Sequence, residues 1–303
     1  MNVGIIGAGF MGQMHARIIN TLPDITLSGI SSTGSARGLA LADELGVQHS
    51  TDYRDLIHDP HIQVIDVCTP TDSHERIARE ALLAGKQVIV EFPLCATYAE
   101  FDSLFEVSRA AGSICAAAYY CRFQSQYSAL IKKVRSPDFG RTTSIFISRK
   151  SDPSFSSNDI VNNLISQDID FVVSLLGLPE KKQCVHNGQN YAAFCFEWND
   201  ACAIVEGATN MPQGYPFSTR HIINGECGVI ELEWKFTDRP EYTMRYTDRY
   251  GERTLFSEDY DPYRAELENI LFAFRDGEAC PCDIESVRDS TMLSFACRDL
   301  MCQ

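Results

Sequence analysis

The stretch Val3-Gly4-Ile5-Ile6-Gly7-Ala8-Gly9-Phe10-Met11-Gly12 joins an apolar run directly to three glycines with GxGxxG spacing. A helical pattern over residues 11–22 follows it. In such a turn Gly7 permits a tight bend, Gly9 permits close approach to a pyrophosphate, and Gly12 permits close helix packing. The positive end of the helix dipole favours phosphate charge. The stretch therefore predicts a dinucleotide site that contains Gly7, Gly9, Phe10, Met11 and Gly12.

The composition narrows the class of protein. The chain has 303 residues, more than the roughly 100 to 200 of a typical single domain, which predicts two domains. A formal net charge of -15 without a clustered basic surface argues against nucleic acid as a partner. No segment is apolar enough to cross a membrane, and no secretion leader precedes the glycine turn. We therefore expect a cytoplasmic protein without a membrane partner.

The 12 cysteines are scattered through predicted strands and helices. No CxxC pair occurs, and the closest spacing is Cys280-Pro281-Cys282. We interpret the cysteines as reduced core thiols and predict no metal site.

Short β-branched runs alternate with amphipathic stretches from residue 2 to about residue 118, a pattern typical of a parallel sheet with crossover helices. The predicted strands are residues 3–6, 26–30, 64–67, 87–91 and 114–118. The predicted helices are residues 11–22, 35–45, 74–84 and 98–111. Right-handed crossovers would complete a Rossmann sheet. We assign residues 1–121 to this dinucleotide-binding domain.

Longer predicted strands follow at residues 142–148, 191–198, 201–209 and 229–233, with a helix at 159–176. A turn at Asn199-Asp200 between consecutive strands indicates antiparallel pairing. Two helices at 262–275 and 284–301 end the chain. The fold class is therefore α/β plus α+β: a Rossmann parallel sheet followed by a domain, residues 122–303, with a largely antiparallel open sheet.

The second predicted strand ends without the acidic residue that binds the ribose 2′-hydroxyl of NAD. Ser31-Ser32-Thr33 stands there, followed by Arg37. Small hydroxyl groups and a cation suit a 2′-phosphate, which a carboxylate would repel. This favours NADPH over NADH. In the alternative interpretation, the segment from Ser31 to Ser35 caps the next helix and Arg37 faces water.

Residues 67–74 (VCTPTDSH), 81–88 (ALLAGKQV) and 91–93 (EFP) resemble, in this order, motifs of the Gfo/Idh/MocA oxidoreductases. Arg122-Phe123 and residues 263–277 are similar to later parts of that family. The resemblance implies a nicotinamide cofactor, a Rossmann domain and a second sheet that often forms an oligomer interface. By position it places four residues at the cofactor: Thr69, Pro70, His74 and Glu91. His74 could equally be a helix-start residue whose ring is satisfied by backbone groups.

The departures from the family concern proton transfer. Phe92 stands where most members carry a lysine that reaches the reacting oxygen, and a phenyl ring can neither stabilise nor protonate an alkoxide. A second family motif, Asp-x-Gly-x-His-x-x-Asp, maps onto Asn163, Ile165, Gln167 and Asp170. An amide at Gln167 cannot replace the family's acid–base histidine.

Asn163, Gln167, Asp170 and Ser174 recur with helical spacing on one face. We interpret this polar stripe as directed at substrate, as the resemblance implies. The alternative is that the stripe marks the solvent side of a helix whose apolar faces are buried.

Loss of both proton-handling groups favours a hydride acceptor that forms no alkoxide, such as a conjugated C=N or C=C bond. The chain resembles biliverdin reductases within the same superfamily, which implies a bilin substrate. A bilin needs flat apolar contacts and cations for its propionates. The candidates are Phe92, Tyr119, Tyr120 and Phe123 for the contacts, and Arg122, Arg149, Lys150 and Arg220 for the carboxylates. The predicted catalytic residues are Arg122, Asp170, Gln167 and Tyr120.

Two other functions remain open. In the first, the protein is a sugar or polyol dehydrogenase in which Tyr120 or Asp170 replaces the lost lysine. In the second, it is a non-catalytic NADP(H) sensor or assembly partner, because dinucleotide binding can survive the loss of chemistry.

Overall fold

The computed structural model describes residues 1–34, 36–155, 159–237, 240–256 and 260–302. The chain divides into two compact units. The first contains Met1–Phe123 and Asp261–Arg288, and the second contains Gln124–Tyr260 and the chain from residue 289 onward. Within the described residues, no helix has both the length and the apolar character needed to cross a membrane.

The first unit is built on a parallel six-stranded sheet with the strand order β3-β2-β1-β4-β5-β6. The strands are β1 Asn2–Ile6, β2 Thr26–Ser31, β3 Gln48–Ser50, β4 Val64–Val67, β5 Gln87–Val90 and β6 Cys115–Ala117. The helices are α1 Phe10–Ile19, α2 Ala36–Leu45, α3 Arg54–His58, α4 His74–Leu83, α5 Tyr98–Ala111 and α8 Pro262–Asp276. This is the predicted Rossmann arrangement, and the central strands β1, β4 and β5 are buried apart from the first residues of β1 and β5, because both faces carry helices.

The predicted strands and long helices of this unit are confirmed to within a few residues at their ends. Two short elements, β3 and α3, were not predicted. β3 is a three-residue edge strand with the polar sequence Gln-His-Ser, so no apolar alternation marks it. The predicted second helix began at Ser35, which lies outside the described residues.

Helix α8 belongs to the first unit although it comes late in the chain, whereas the sequence-based boundary at residue 121 assigned it to the second domain. Asp261 caps its start by accepting a hydrogen bond from the Tyr263 N–H at 3.0 Å. Its side chains Leu267, Ile270 and Leu271 are fully buried. Helical periodicity identifies such an element but does not say which sheet it covers.

The second unit contains a mixed eight-stranded sheet with the order β14-β13-β12-β11-β7-β10-β9-β8. Its strands are β7 Thr142–Lys150, β8 Lys181–His186, β9 Tyr191–Glu197, β10 Cys202–Ala208, β11 Phe217–Gly225, β12 Gly228–Phe236, β13 Pro240–Asp248 and β14 Gly251–Leu255. β7 and β10 pair in parallel, and the other neighbours are antiparallel. The predicted Asn199-Asp200 turn joins the antiparallel strands β9 and β10.

The helices of the second unit are α6 Ser125–Val134, α7 Ser166–Leu176 and α9 Arg288–Leu300. A π-helical turn, Val161–Ile165, leads into α7. The helix predicted over residues 159–176 is therefore π-helical at its start and α-helical only from Ser166. Strands β8, β11, β13 and β14 and helix α6 were not predicted. β8 and β14 are largely exposed, and β11 carries the polar run Ser218-Thr219-Arg220-His221, so none of these three strands shows the expected alternation.

Candidate cofactor site

The glycine turn has the backbone geometry that its sequence predicts. Gly7 has φ +112°, and a Cβ there would lie 2.4 Å from the carbonyl oxygen of Cys68. A Cβ on Gly12 would lie 2.0 Å from the carbonyl oxygen of Gly7, so only glycine allows α1 to approach the turn this closely. A Cβ on Gly9, in contrast, would meet no described atom within 4 Å. Gly9 therefore faces open space.

That open space is a cavity of about 770 Å³ above the glycine turn. The predicted cofactor residues that line it are Gly7, Gly9, Phe10, Met11, Ser31, Ser32, Thr33, Arg37, Thr69, Pro70, Glu91 and Phe92. Gly12 and His74 are not part of its lining. Side chains that sequence reasoning missed also line it, among them Thr51, Tyr53, Asp72, Ser73 and Arg76.

His74 lies behind the cavity wall and is 1% exposed. Its Nδ1 is 2.9 Å from the carbonyl oxygen of Pro93, and its Nε2 is 2.7 Å from that of Thr69. Both ring nitrogens thus face backbone carbonyl oxygens, and a neutral ring can donate a hydrogen bond to one of them. These contacts favour the alternative interpretation, in which His74 is a helix-start residue held by backbone groups. It ties together two loops that carry cavity residues.

The end of β2 shapes one end of the cavity. Ser31 is buried, and the Ser32 hydroxyl lies 2.9 Å from His49 Nε2. Arg37 is exposed on α2, and no acidic group in the described part of the chain forms an ion pair with it. The first residue of the proposed cap, Ser31, instead ends β2, and the last, Ser35, lies outside the described residues.

A buried cluster of titratable groups lies next to the cavity. His15 Nδ1 is 2.9 Å from Asp66 Oδ2, and His15 Nε2 is 3.3 Å from Glu91 Oε1. Burial lowers the pKa of His15, but the charge of Asp66 and the hydrogen bonds with Asp66 and Cys68 outweigh it, so the net pKa is raised well above its ordinary value. Burial raises the pKa of Cys68 as well. The thiol therefore stays protonated, and Asp66 is the charge that holds the imidazolium.

Donor atoms of His15, Asp66 and Cys68 all lie within 4.8 Å of one another. This spacing alone would suit a metal ion. The three groups are already linked to each other by hydrogen bonds, which accounts for their grouping.

Glu266 of α8 completes the cluster. Its side chain is fully buried, and neither carboxylate oxygen has a hydrogen-bond partner. Burial raises the pKa of Glu266 well above its ordinary value; the charge of His15 opposes this, and Glu91 and Asp66 add to it. Burial therefore favours the neutral acid over the carboxylate at this position in the folded protein.

We expect stability to fall as the pH rises above about 5, because the unfolded chain releases the Glu266 and His15 protons that the folded protein retains. Each such proton contributes a slope of up to about 1.4 kcal/mol per pH unit. Glu266→Gln should flatten this slope above about pH 5 in denaturant unfolding experiments. Glu268→Gln, at a partly exposed carboxylate on the same helix, is the control. An unchanged slope in Glu266→Gln would contradict the prediction.

Phe92 lies on the cavity wall where the family lysine was expected. Its ring contacts Tyr119 edge-on, with ring centroids 5.3 Å apart. Tyr119 is 3% exposed, so its predicted role as a ligand wall is wrong: it belongs to the core. Tyr120 stacks on Tyr263 with centroids 5.0 Å apart, and burial raises the pKa of Tyr263 to about 12.

Arg122 forms hydrogen bonds within the first unit. Its guanidinium donates hydrogen bonds to the carbonyl oxygens of Pro281 and Ser286 at 2.8 and 3.2 Å. It also lies over the ring of Tyr119, at 5.6 Å from the centroid. These contacts give Arg122 a structural task in fixing the segment after α8, whereas its predicted catalytic role stays a prediction.

The polar stripe that begins at Asn163 and ends at Ser174 is buried at its two central residues. Gln167 and Asp170 are buried, whereas Asn163 and Ser174 are exposed at its two ends. The solvent-side interpretation is therefore wrong for the two central residues. Asp170 Oδ1 accepts a hydrogen bond from the Ser290 hydroxyl at 2.7 Å.

Sequence reasoning missed Asp168, which forms a buried ion pair with Arg149. Nε and Nη2 of Arg149 each lie 2.6 Å from a different oxygen of Asp168. The prediction that Arg149 meets a substrate carboxylate is therefore wrong. Next to the pair, His221 is fully buried, and its Nε2 lies 3.7 Å from Asp168 Oδ1. Among the described residues neither ring nitrogen has a hydrogen-bond partner, and burial lowers the pKa of His221 to about 4.

The other two side chains that were predicted to bind propionates, Lys150 and Arg220, form ion pairs with glutamates. Lys150 Nζ lies 3.1 Å from Glu206, and Arg220 Nη2 lies 3.0 Å from Glu231. Both pairs are partly exposed to solvent.

Comparison with known proteins gives this geometry a context. Residues 1–119 match the Gfo/Idh/MocA oxidoreductase family, described as an NAD-binding Rossmann fold. The uncharacterised oxidoreductase YrbE of Bacillus subtilis is 31% identical over 138 residues, which cover 45% of this chain and 40% of YrbE. The myo-inositol 2-dehydrogenase of Thermotoga maritima is 24% identical over 98% of this chain and 95% of that enzyme.

The fold of the whole chain is shared as well. A levoglucosan dehydrogenase solved in complex with NADH and L-sorbose superposes with a TM-score of 0.85 at 20% identity. The match covers 100% of this chain and 97% of that one. The chain is an NAD(P)-dependent oxidoreductase, and its residues 1–119 are an NAD-binding Rossmann part of the Gfo/Idh/MocA type.

Proposed function

We propose that the protein is a sugar or polyol oxidoreductase that transfers hydride between a carbinol carbon and NADP(H). The observation that carries this proposal is the match over 98% of the chain to a myo-inositol 2-dehydrogenase. The fold of a levoglucosan dehydrogenase supports it further. A sugar or polyol dehydrogenase is one of the two other functions that the sequence leaves open. The relatives named above favour it over a reductase that acts on a bilin.

The cavity around the glycine turn supports the cofactor half of the proposal. Ser31, Ser32, Thr33 and Arg37 line it, and no carboxylate occupies the end of β2. Hydroxyl groups and a guanidinium that has no ion-pair partner among the described residues favour the 2′-phosphate of NADPH. When bound there, the nicotinamide supplies or accepts the hydride.

Oxidation of an alcohol also releases a proton from its hydroxyl group. Phe92 and Gln167 cannot accept it, so we propose a substitute base in each unit. In the first unit it is Tyr120, whose ring is held against Tyr263. In the second unit it is Asp170, whose buried carboxylate accepts a hydrogen bond from the Ser290 hydroxyl. The two residues are tested separately.

We expect Tyr120→Phe or Asp170→Asn to lower kcat by about 10²- to 10⁴-fold, the usual contribution of general acid–base catalysis. Initial rates with myo-inositol and monosaccharides, with both NADP⁺ and NAD⁺, measure this effect. Tyr263→Phe is the matched control for Tyr120→Phe, because it keeps the stacked ring and removes a different hydroxyl. Full activity in both test variants would rule out these two residues as the base.

A reductase of conjugated C=N or C=C bonds, with bilins as substrates, is the second candidate. Phe92 on the cavity wall favours it, because reduction of such a bond forms no alkoxide that a lysine would have to stabilise. NADPH oxidation with biliverdin or cyclic imines, without any polyol turnover, would favour this candidate. NADPH binding without turnover of either class would indicate the sensor function instead. Assembly through the second unit's sheet stays a prediction.

A further inference from the structure

One end of the cavity carries a cation that the sequence analysis did not consider. Strand β3 pairs with β2 so that Ser50 lies beside Ser31, and the Ser32 N–H donates to the Ser50 carbonyl at 3.1 Å. Thr51 and Tyr53 follow β3 directly and line the cavity. They therefore lie at the β2 end, where a Rossmann fold binds the adenosine ribose.

Arg76 of α4 reaches this end. Its guanidinium carbon lies 5.3 Å from the centroid of the Tyr53 ring, and its Nη1 donates a hydrogen bond to the Tyr53 hydroxyl. Arg76 itself lines the cavity. Because the tyrosine ring supports the guanidinium, less side-chain freedom is lost when Arg76 binds an anion.

The charge of Arg76 is available to a ligand. Glu80, the carboxylate that accepts from the Tyr53 hydroxyl at 3.0 Å, is paired with Arg54 at 3.1 Å. Within the described ranges, no carboxylate forms an ion pair with Arg76. Two carboxylates, Asp72 and Glu91, also line the cavity and oppose an anion in it.

We propose that Arg76, positioned by Tyr53, is a second guanidinium for the ribose 2′-phosphate and so determines the preference for NADP(H), together with Arg37. The inference rests on the proposed use of NADP(H). A guanidinium binds phosphate oxygens through two parallel hydrogen bonds, and NADH offers no such group at this position. Arg76 therefore discriminates between the two cofactors rather than stabilising both.

Equilibrium binding of NADPH and NADH to Arg76→Gln tests the proposal without any need for a substrate. Adenosine 2′,5′-bisphosphate and 5′-AMP serve as probes of the adenosine end alone. We expect Arg76→Gln to weaken NADPH and the bisphosphate about tenfold and to change NADH and 5′-AMP less than about twofold. Tyr53→Phe should weaken NADPH by a smaller factor in the same direction.

Arg79→Gln is the matched control, because Arg79 is exposed on the same helix and does not line the cavity. Equal weakening of NADPH and NADH in Arg76→Gln would overturn the proposal, since Arg76 would then serve a group common to both. Unchanged NADPH binding would overturn it too. A wild-type preference for NADH would refute the proposed NADP(H) use itself, which is visible before any variant is made.

Discussion

Gly9→Ala is expected to fold with wild-type stability and to bind NADPH at least about tenfold more weakly. An alanine Cβ at this position meets no protein atom within 4 Å, and φ of -70° is accessible to any residue. The methyl group would instead occupy cavity space over the turn, where we propose that the pyrophosphate approaches the backbone. Thermal unfolding without cofactor and a fluorescence titration with NADPH measure the two effects.

Gly12→Ala provides the contrast. Its Cβ would lie 2.0 Å from the Gly7 carbonyl oxygen, so the turn itself must move and the apoprotein should lose stability. If Gly9→Ala bound NADPH as tightly as the wild type, the pyrophosphate would not lie over the turn and the assignment of the cavity would be incorrect.

Asp168→Asn is expected to destabilise the protein by about 3 to 5 kcal/mol, because it leaves the Arg149 guanidinium buried without its counter-charge. Both side chains are at most 5% exposed, so water cannot replace the lost partner. Arg149→Met should have an effect of similar size. Urea unfolding at neutral pH measures the loss.

The double variant Arg149→Met with Asp168→Leu should recover much of this loss, because no unpaired charge remains in the core. A double variant as unstable as the sum of the single variants would show that the pair contributes through contacts other than its mutual neutralisation. Lys181→Met, at an exposed pair with Glu197, is the control and should change stability by less than about 1 kcal/mol.

The sequence predicted the parallel sheet well because its central strands are continuous apolar runs, and because the GxGxxG turn has a meaning only between a strand and a helix. The position of residues at the ends of these strands and in the glycine turn also predicted most of the residues that line the cavity. Edge strands such as β8 and β14 escaped prediction since their residues are largely exposed and show no alternation.

The missed functional groups share another property. Arg76 and Tyr53 belong to separate elements and become neighbours only through packing of α4 beside the segment after β3. Asp168 and Arg149 are of residue types that normally lie on the surface, and only their mutual contact explains their burial. Pattern reasoning treats each charged residue singly, so it cannot detect partners that are distant in sequence.

The late position of α8 in the chain has a consequence for biosynthesis. A nascent chain that has been translated only as far as Phe123 already contains all six Rossmann strands, but it lacks Leu267, Ile270 and Leu271. The apolar surface that these side chains cover remains exposed to solvent until translation has passed residue 288. The hydrophobic core of the first unit is therefore completed only after most of the second unit has been synthesised.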